Sequence, residues 1–351
     1  FLSLHIGIFR NSASRYLLML LIYTGSYPDD KCGVGDYVYN LNQEIKKNYT
    51  VNVVKLSLFE LIYKIVSNRK IIKLINIQYP SIGFSTNKIA AFKPHVAFIL
   101  AKLVGLKTSI TLHEFSSLSK RAQYFLKIFK LADYIIFTTQ YEKNIGEKTL
   151  FNSAKTRLIP IASNIPSCQK KEKKFDLVHF GIISKGKGIE EFIWIIKELN
   201  KKNIKFRSAL IGYVPGADNS YANLIIEQCT EQKCELLLNK SAAEISNLLA
   251  ETDMAILPYP DGISERRGTA LAAMINRVLV FSLRGQFSSE FENIAVLGND
   301  KNDLLSKVLY YINNTDSFAK INDSAYEYSE KRNWQSIAQL YIGLINNDSN
   351  K

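Results

Sequence analysis

From Met19 onward, short runs of β-branched and apolar residues alternate with longer segments in which apolar residues recur every three or four positions. This alternation is typical of βα units wound around a parallel sheet. The first half contains six candidate strands, at 19–23, 51–56, 73–78, 108–112, 133–138 and 156–159. The second half repeats the architecture, with candidates at 175–180, 206–211, 234–238, 253–257, 278–282 and 293–297. The sequence predicts an α/β chain with two doubly wound Rossmann-like domains.

The predicted domains are 19–165 and 166–325, followed by a final segment, 326–351. The linker is placed at about 162–174, where Pro, Ser and Lys are frequent and apolar periodicity is weak. Apolar residues from Trp334 to Ile345 fall on one face of a helix, which must pack against another element. Residues 1–18 fit neither a membrane span nor a signal peptide, so they are expected to be a non-native or disordered extension. Two such domains predict a ligand crevice at the carboxyl ends of their strands.

The formal net charge of +13 lies in the first half of the chain. Residues 1–165 contain 22 Lys and Arg against 9 Asp and Glu, whereas residues 166–351 contain 23 of each sign. A one-sided basic domain suits an anionic membrane surface or a nucleic acid, and a solvated Lys-rich face is the alternative. No motif that reads nucleic acid is recognisable, so no nucleic-acid partner is expected. The four cysteines lack CxxC spacing and indicate neither a zinc site nor a disulfide framework, which makes a reducing cytoplasm the default.

Two segments of the first half carry candidate chemistry. In TGSYPDDKCGVGDYVYNL, Gly33 and Gly35 lead from a strand into a helix, where backbone amides can approach a phosphate. An ordinary turn is the alternative, and the absence of a GxGxxG pattern argues against a nicotinamide site. In KTSITLHEF, the strand ends at His113 and Glu114, so either side chain can enter a crevice. A structural histidine is the alternative for His113.

Two segments of the second half are candidate anion sites. FGIISKGKGIEEF joins a strand to a helix through a glycine-containing turn with Lys185 and Lys187, either of which can neutralise a diphosphate. Solvated turn lysines are the alternative. In LPYPDGISERRGTALAAM, a strand ends in a Pro-rich loop and a helix begins near Arg267. The free backbone amides of Gly268, Thr269 and Ala270 at that helix start, together with Arg266 and Arg267, predict an anion site. A chance pair of surface arginines is the alternative.

In this order and at these separations, the segments resemble the retaining glycosyltransferases of the GT-B fold, in particular family 4. The resemblance covers nearly the whole chain from Met19. TGSYPDDKCGVGDYV is similar to that family's opening strand and glycine loop, LHEF to its acceptor-domain histidine turn, and FGIISKGKG to its phosphate-binding turn. AAEISNLLAETDMAILPYPDG is similar to the helix and strand before its donor loop. The Trp334 helix is similar to its closing helix, which crosses back to the first domain.

The resemblance implies two Rossmann-like domains that face each other across a cleft. The first would receive the acceptor, with Glu114 on that side, and the second would hold the nucleotide-sugar. Gly33 and Gly35 would face the donor diphosphate, with Lys187 as its cation, and His113 would lie near the transferred sugar. Such enzymes retain the anomeric configuration, and no metal or other cofactor is expected because cationic side chains and helix ends stabilise the leaving diphosphate.

The sequence departs from the family at two places. The family's usual arginine in the phosphate turn aligns with Ile182, and its pair of glutamates spaced eight apart aligns with Ser264 and Ala272. Arg266 and Arg267 are predicted to replace the arginine. Asp261 or Glu265 is predicted to supply the carboxylate that contacts the sugar.

The expected function is transfer of a sugar, with retention, from a nucleotide-sugar to a lipid-linked or polysaccharide acceptor in surface glycan synthesis. The expected location is the cytoplasm, peripheral to the inner face of the membrane. The missing glutamates motivate an alternative, a catalytically inactive sugar-nucleotide-binding or scaffold protein of the same fold. An epimerase of this fold would be expected to carry more carboxylates than can be placed.

Overall fold

A computed structural model describes residues 19–28, 30, 32–216 and 219–346. The chain divides into two units, one containing the described residues up to Ile161 together with the segment from Trp334, and the other spanning Ala162–Asn333. The prediction for residues 1–18 lies outside the described residues.

The first unit contains a six-stranded sheet in the order β2-β1-β3-β4-β5-β6, in which all the pairs are parallel. Helices join the strands, as the alternating pattern predicts. Short 3₁₀ turns lie at Ile82–Ser85, Phe115–Ser117, Leu126–Leu131 and Ser153–Lys155. The elements are β1 (Met19–Thr24), α1 (Gly33–Ile45), β2 (Thr50–Lys55), α2 (Leu58–Asn68), β3 (Ile72–Tyr79), α3 (Lys88–Leu103), β4 (Thr108–Leu112), α4 (Lys120–Phe125), β5 (Tyr134–Phe137), α5 (Gln140–Thr149) and β6 (Thr156–Leu158).

The second unit also contains a six-stranded parallel sheet, in the order β12-β11-β10-β7-β8-β9. Two 3₁₀ turns lie at Ser289–Phe291 and Thr315–Phe318. The elements from Phe175 to the end of the chain are β7 (Phe175–Ile182), α6 (Ile189–Lys201), β8 (Ser208–Tyr213), α7 (Ser220–Glu231), β9 (Glu235–Leu238), α8 (Ala242–Ala250), β10 (Thr252–Ile256), α9 (Gly268–Ile275), β11 (Leu279–Leu283), β12 (Val296–Gly298), α10 (Lys301–Asn313), α11 (Ala319–Glu330) and α12 (Trp334–Asn346).

Both sheets change winding direction at an inner strand pair. In the first sheet, β1 lies between β2 and β3, and in the second, β7 lies between β8 and β10. Consecutive connections from β1 and from β7 therefore run to opposite sides, which leaves a crevice at the carboxyl ends of those strands. The predicted fold, two parallel sheets flanked by helices, is confirmed.

The helix α12 packs in the first unit, on α1 and β3. Its apolar face is buried, as the helical periodicity predicts, and Tyr341 lies fully enclosed within it. The segment predicted as the linker, at about 162–174, is hydrogen-bonded to the second unit. The backbone oxygen of Pro166 accepts hydrogen bonds from Ser246 and Asn276, and Asn276 also accepts from the Cys168 backbone N–H, so this segment is fastened to the second unit.

A membrane-spanning helix requires both a minimum length and a high hydropathy. Within the described ranges, no helix is both long enough and apolar enough to cross a bilayer.

Candidate functional site

In the second unit, the turn after β7 and the loop after β10 meet at the carboxyl edge of the sheet. Gly188 ends the β7–α6 turn with φ of 78° and is the residue that precedes α6. A Cβ atom at this position would lie 2.6 Å from the carbonyl carbon of Pro258 and still closer to its oxygen. Only glycine combines this left-handed backbone with so close an approach. The contact places Lys187 beside the loop that follows β10.

Lys187 and Arg267 form one cationic cluster with Asp261. The Arg267 guanidinium is ion-paired with the exposed Asp261 and lies over the ring of Tyr259, 4.4 Å from its centroid. Burial lowers the pKa of Lys187, and the Arg267 charge lowers it further, whereas Asp261 raises it. The Nε atom of Arg267 is buried and has no hydrogen-bond partner within the described part of the chain. Two cations held together with one carboxylate leave a positive excess available to an anion.

The start of α9 adds a helix dipole to this cluster. Arg267 occupies the N-cap position, and in the described structure no side chain caps the helix. A Cβ atom on Gly268 would meet no atom within 4 Å, so the first turn is open on that side. The Thr269 hydroxyl is hydrogen-bonded to the buried Tyr259 hydroxyl, which orients it and leaves further acceptor capacity for a ligand. Helix N-termini of this kind favour negative charge.

An apolar cavity of about 210 Å³ adjoins the same helix start. It lies beyond the carboxyl ends of β7 and β8, and Thr269 belongs both to its wall and to the first turn of α9. A ligand that spans the two regions would need an apolar ring and an anionic group. The cavity is lined by Phe180, Gly181, Ile182, Ile211, Gly212, Tyr213, Lys240, Ile245 and Thr269.

Two predicted residues have side-chain partners outside this cluster, and a third is exposed. Glu265 is 4% exposed and pairs with Arg332 at 3.1 Å, so its carboxylate serves a buried ion pair beside α11. Arg266 extends over the ring of Phe287, 5.3 Å from its centroid, rather than over Tyr259. Lys185 is exposed in the turn. The pair that the structure brings together is Lys187 and Arg267.

In the first unit, His113 follows β4 at the corresponding edge of the sheet and is 7% exposed. Its Nε2 atom lies 2.6 Å from the side-chain oxygen of Gln78 on β3, and Tyr37 of α1 meets its ring edge-on with centroids 5.1 Å apart. Burial lowers the pKa of His113 to about 4, so the ring is neutral at neutral pH. Glu114, the next residue, is exposed.

The two predicted glycines differ in what surrounds them. Gly33 begins α1, is exposed, and would place a Cβ atom within 4 Å of nothing. Gly35 is buried, and a Cβ atom there would lie 3.2 Å from the backbone nitrogen of Tyr27. Gly35 therefore permits close packing of α1 against the loop after β1, whereas Gly33 offers an open backbone at a helix start.

Sequence reasoning missed Tyr259, Gln78 and the apolar cavity. The Arg267 guanidinium lies over the ring of Tyr259, and the only sequence feature that pointed to Tyr259 is an aromatic residue just after a strand. The sequence pointed more clearly to Gln78, because Asn76 and Gln78 alternate with isoleucines along β3. A polar face on a buried strand requires hydrogen-bond partners.

No protein-family model matches the chain, and no curated protein shows significant sequence similarity to it. In structure, it is similar to a glycosyltransferase from Rickettsia africae ESF-5, with 12% identity, a TM-score of 0.67, and coverage of 96% of this chain and 100% of that one. It is also similar to sucrose-phosphate synthase from Thermosynechococcus elongatus, with 16% identity, a TM-score of 0.61, and coverage of 95% and 99%.

A third similar structure is WaaG, a glycosyltransferase involved in lipopolysaccharide biosynthesis, with 10% identity, a TM-score of 0.57, and coverage of 93% and 99%. At such identities the likeness shows the fold. The two parallel six-stranded sheets are those of the GT-B glycosyltransferases.

Proposed function

We propose that this chain is a glycosyltransferase whose second unit binds a nucleotide-sugar donor. The observation that carries the proposal is the cluster of Lys187, Arg267 and the α9 N-terminus beside an apolar cavity, with Thr269 shared between them. A nucleotide-sugar has the matching parts, since its base is a flat ring and its diphosphate is an anion. The GT-B fold supports the assignment.

The cationic cluster suits the charge that develops during sugar transfer. When the glycosidic bond to the diphosphate breaks, negative charge accumulates on the leaving oxygen, and preorganised cations and helix ends stabilise it. Lys187, Arg267 and the α9 N-terminus supply such groups without a metal ion in this proposal. Arg266 would contribute if its guanidinium left Phe287. Asp261 is exposed beside Arg267, and its carboxylate is proposed to accept hydrogen bonds from hydroxyl groups of the transferred sugar.

The acceptor side is assigned to the first unit, where His113 and the open backbone at Gly33 are the candidate contact groups. We further propose transfer with retention to a lipid-linked or polysaccharide acceptor in surface glycan synthesis, with the protein working in the cytoplasm. The involvement of WaaG, a protein of similar structure, in lipopolysaccharide biosynthesis supports an acceptor of this kind.

The test is a panel of nucleotide-sugars screened for thermal stabilisation, because a ligand bound only to the folded state raises its stability. The binding variant is Lys187→Met, and the matched control is Lys185→Met, a lysine two residues away in the same turn. Loss of one charge-assisted contact of about 1.5–3 kcal/mol should weaken donor binding by roughly 10- to 100-fold in the first variant. Equal affinity in both variants would refute the phosphate role of Lys187.

Turnover separates the proposal from its alternative. Transfer of labelled sugar to an acceptor extract is expected with the donor that stabilises the protein. Donor binding without transfer to any extract would indicate the non-catalytic sugar-nucleotide-binding protein instead.

A surface of the first unit supports peripheral membrane association. Helix α3 exposes apolar side chains at intervals of three and four residues, a stripe that lies along one helix face. Ile89 is 79% exposed and Leu103 is 77% exposed at its two ends. The neighbouring α2 exposes a second stripe, in which Phe59 is 85% exposed. The exposed apolar residues of the two helices are Phe59, Ile62, Tyr63, Val66, Ile89, Phe92, Val96, Ile99 and Leu103.

The charge around these stripes selects the partner. Between Lys46 and Lys130 the sequence has 15 Lys and Arg against two acidic residues. Exposed apolar side chains beside lysines and arginines match an anionic lipid surface, where hydrophobic insertion and charge attraction act together. We therefore propose that the α2 and α3 stripes dock the enzyme on anionic lipid.

Flotation with vesicles tests the docking surface. The protein should float with phosphatidylglycerol vesicles, less so at high salt, and poorly with phosphatidylcholine vesicles. The triple variant Ile89→Asn, Phe92→Asn, Leu103→Asn should lose at least about tenfold in binding, since burying one such side chain contributes about 1.5–3 kcal/mol. The control, Leu224→Asn with Tyr310→Asn, removes exposed apolar residues of the second unit. Self-association through the stripe without vesicle binding would refute the lipid partner.

A further inference from the structure

A buried polar network under His113 connects β3, β4, α1 and α12. Asn76 donates from its amide nitrogen to the hydroxyl oxygens of Ser109, at 2.9 Å, and Thr111, at 3.0 Å. Thr111 is in turn hydrogen-bonded to Tyr341 of α12 at 2.8 Å. These groups are at most 1% exposed, so their hydrogen bonds are not exchanged with water.

The directions of these bonds follow from one fixed acceptor. The Ser109 hydroxyl lies 3.5 Å from the Ile75 backbone carbonyl, which can only accept, so Ser109 donates there and accepts from Asn76. The Asn76 oxygen then faces Gln78 and accepts from the Gln78 amide nitrogen. The Gln78 oxygen is left to face His113, and an oxygen can only accept. The proton between Gln78 and His113 must therefore lie on Nε2 of the imidazole.

We propose that Gln78 is a positioning residue, which holds His113 as its Nε2–H tautomer and leaves Nδ1 as a bare acceptor. Within the described residues Nδ1 makes no hydrogen bond, and it is not among the fully enclosed atoms. His113 can then accept a hydrogen bond from a sugar or acceptor hydroxyl but cannot donate one. This role in transfer rests on the proposed function.

Two aromatic rings restrict the imidazole further. Tyr37 meets His113 edge-on, and Trp334, the first residue of α12, packs edge-on against Tyr37 with centroids 5.3 Å apart. The hydrogen bond to Gln78 sets the rotation of the ring, and the aromatic contacts limit its translation. These contacts therefore fix the direction in which Nδ1 points, and the hydrogen bond to Gln78 keeps Nδ1 unprotonated.

The tautomer can be measured without any substrate. In ¹⁵N-labelled protein at neutral pH, long-range ¹H–¹⁵N correlation should show His113 with a proton on Nε2 and none on Nδ1, assigned by comparison with His113→Gln. The Nε2 proton should exchange slowly because it is hydrogen-bonded and buried. A proton on Nδ1, or on both nitrogens, would overturn the inference whether or not the protein transfers sugar.

The role of Gln78 is tested with a matched pair of variants. Gln78→Leu keeps the size and removes the acceptor, so the protected Nε2 proton should be lost and kcat should fall roughly tenfold or more. Thr108→Val removes a buried side-chain hydrogen bond, to Asp133, at the other end of the same strand β4 and leaves every contact of His113 in place. It should retain the protected proton and nearly normal kcat. Gln78→Leu with normal kcat would refute the positioning role, whereas transfer absent from the wild type would refute only the proposed function.

Discussion

Replacement of Gly188 by alanine tests whether its close contact with Pro258 holds the β7–α6 turn against the loop after β10. The turn offers its own control, because Gly186 and Gly188 have nearly the same left-handed backbone, with φ of 76° and 78°. A Cβ atom on Gly186 would enter open space, whereas one on Gly188 would overlap the backbone of Pro258. The two substitutions share the cost of the left-handed backbone, and only Gly188→Ala adds the steric contact with Pro258.

The expected magnitudes follow from that difference. The left-handed conformation costs an alanine about 1–2 kcal/mol, and this cost is common to both variants. Overlap with a backbone group that cannot rotate away adds about 1–3 kcal/mol for Gly188→Ala. In each variant, alanine also lowers the conformational entropy of the unfolded chain, which offsets the loss of stability by about 0.4–1 kcal/mol. Gly186→Ala should thus be nearly neutral to mildly destabilising, and Gly188→Ala should be less stable than it by about 2 kcal/mol.

Urea denaturation of the two variants measures this gap, and a nucleotide-sugar titration measures its effect on the site. Relief of the overlap would push the β7–α6 turn away from the β10 loop and separate Lys187 from Arg267, so Gly188→Ala should bind the donor more weakly. Gly186→Ala should bind it like the wild type. Equal midpoints and equal affinities for the two variants would refute the claim that this contact sets the distance between the cations.

Three further predictions concern stability. Glu265→Gln breaks the buried pair with Arg332 and should cost about 3–5 kcal/mol in urea denaturation; Asp323→Asn, which breaks an exposed pair with Arg277, should cost at most about 1 kcal/mol. His179 is buried, and burial lowers its folded-state pKa from 6.5 to about 4, so the unfolded chain takes up the proton first. The contribution of His179 to stability should fall by up to about 3 kcal/mol as the pH drops from about 6.5 to 4, so the decline should be shallower in His179→Gln than in the wild type; unchanged slopes would contradict this. Gly35→Ala should lower the thermal midpoint because its Cβ atom crowds the Tyr27 backbone, whereas Gly33→Ala should not, and the reverse order would be incompatible with the packing described.

The sheets could be predicted because their strands are short apolar runs flanked by turn residues. All twelve candidate strands are present, with ends that differ by a few residues. The largest error is at the last strand, which begins at Val296 rather than at 293. Ile294 and Ala295 are apolar but belong to a turn, where their backbone N–H groups bond to Phe291. Hydrophobicity alone cannot separate a buried turn from a strand.

The site was less accessible to sequence reasoning, because its long-range pairs depend on where side chains extend. Lys187 and Arg267 follow neighbouring strands, so their approach could be anticipated from the carboxyl-edge rule. The pairing of Glu265 with Arg332 joins positions that are 67 residues apart and carry no shared motif. Adjacent arginines likewise looked equivalent in sequence, yet Arg266 lies over Phe287 and Arg267 lies over Tyr259.

The resemblance to family 4 implies a pair of glutamates that this chain lacks, and the geometry gives a physical reason for their absence. At the first of those positions stands the buried Ser264, and the adjacent carboxylate of Glu265 is committed to Arg332. At the second, Ala272 is buried in α9, whose other core positions are also small or apolar. A carboxylate at either position would need a buried partner or would be destabilising. Asp261 lies instead on the exposed side of the loop, where Arg267 balances its charge, so it is the carboxylate that can meet a sugar without that penalty. In the proposed function the carboxylate near the sugar is that of Asp261 in the loop, so Asp261→Asn should lower kcat more than Glu265→Gln does in the folded fraction of each variant.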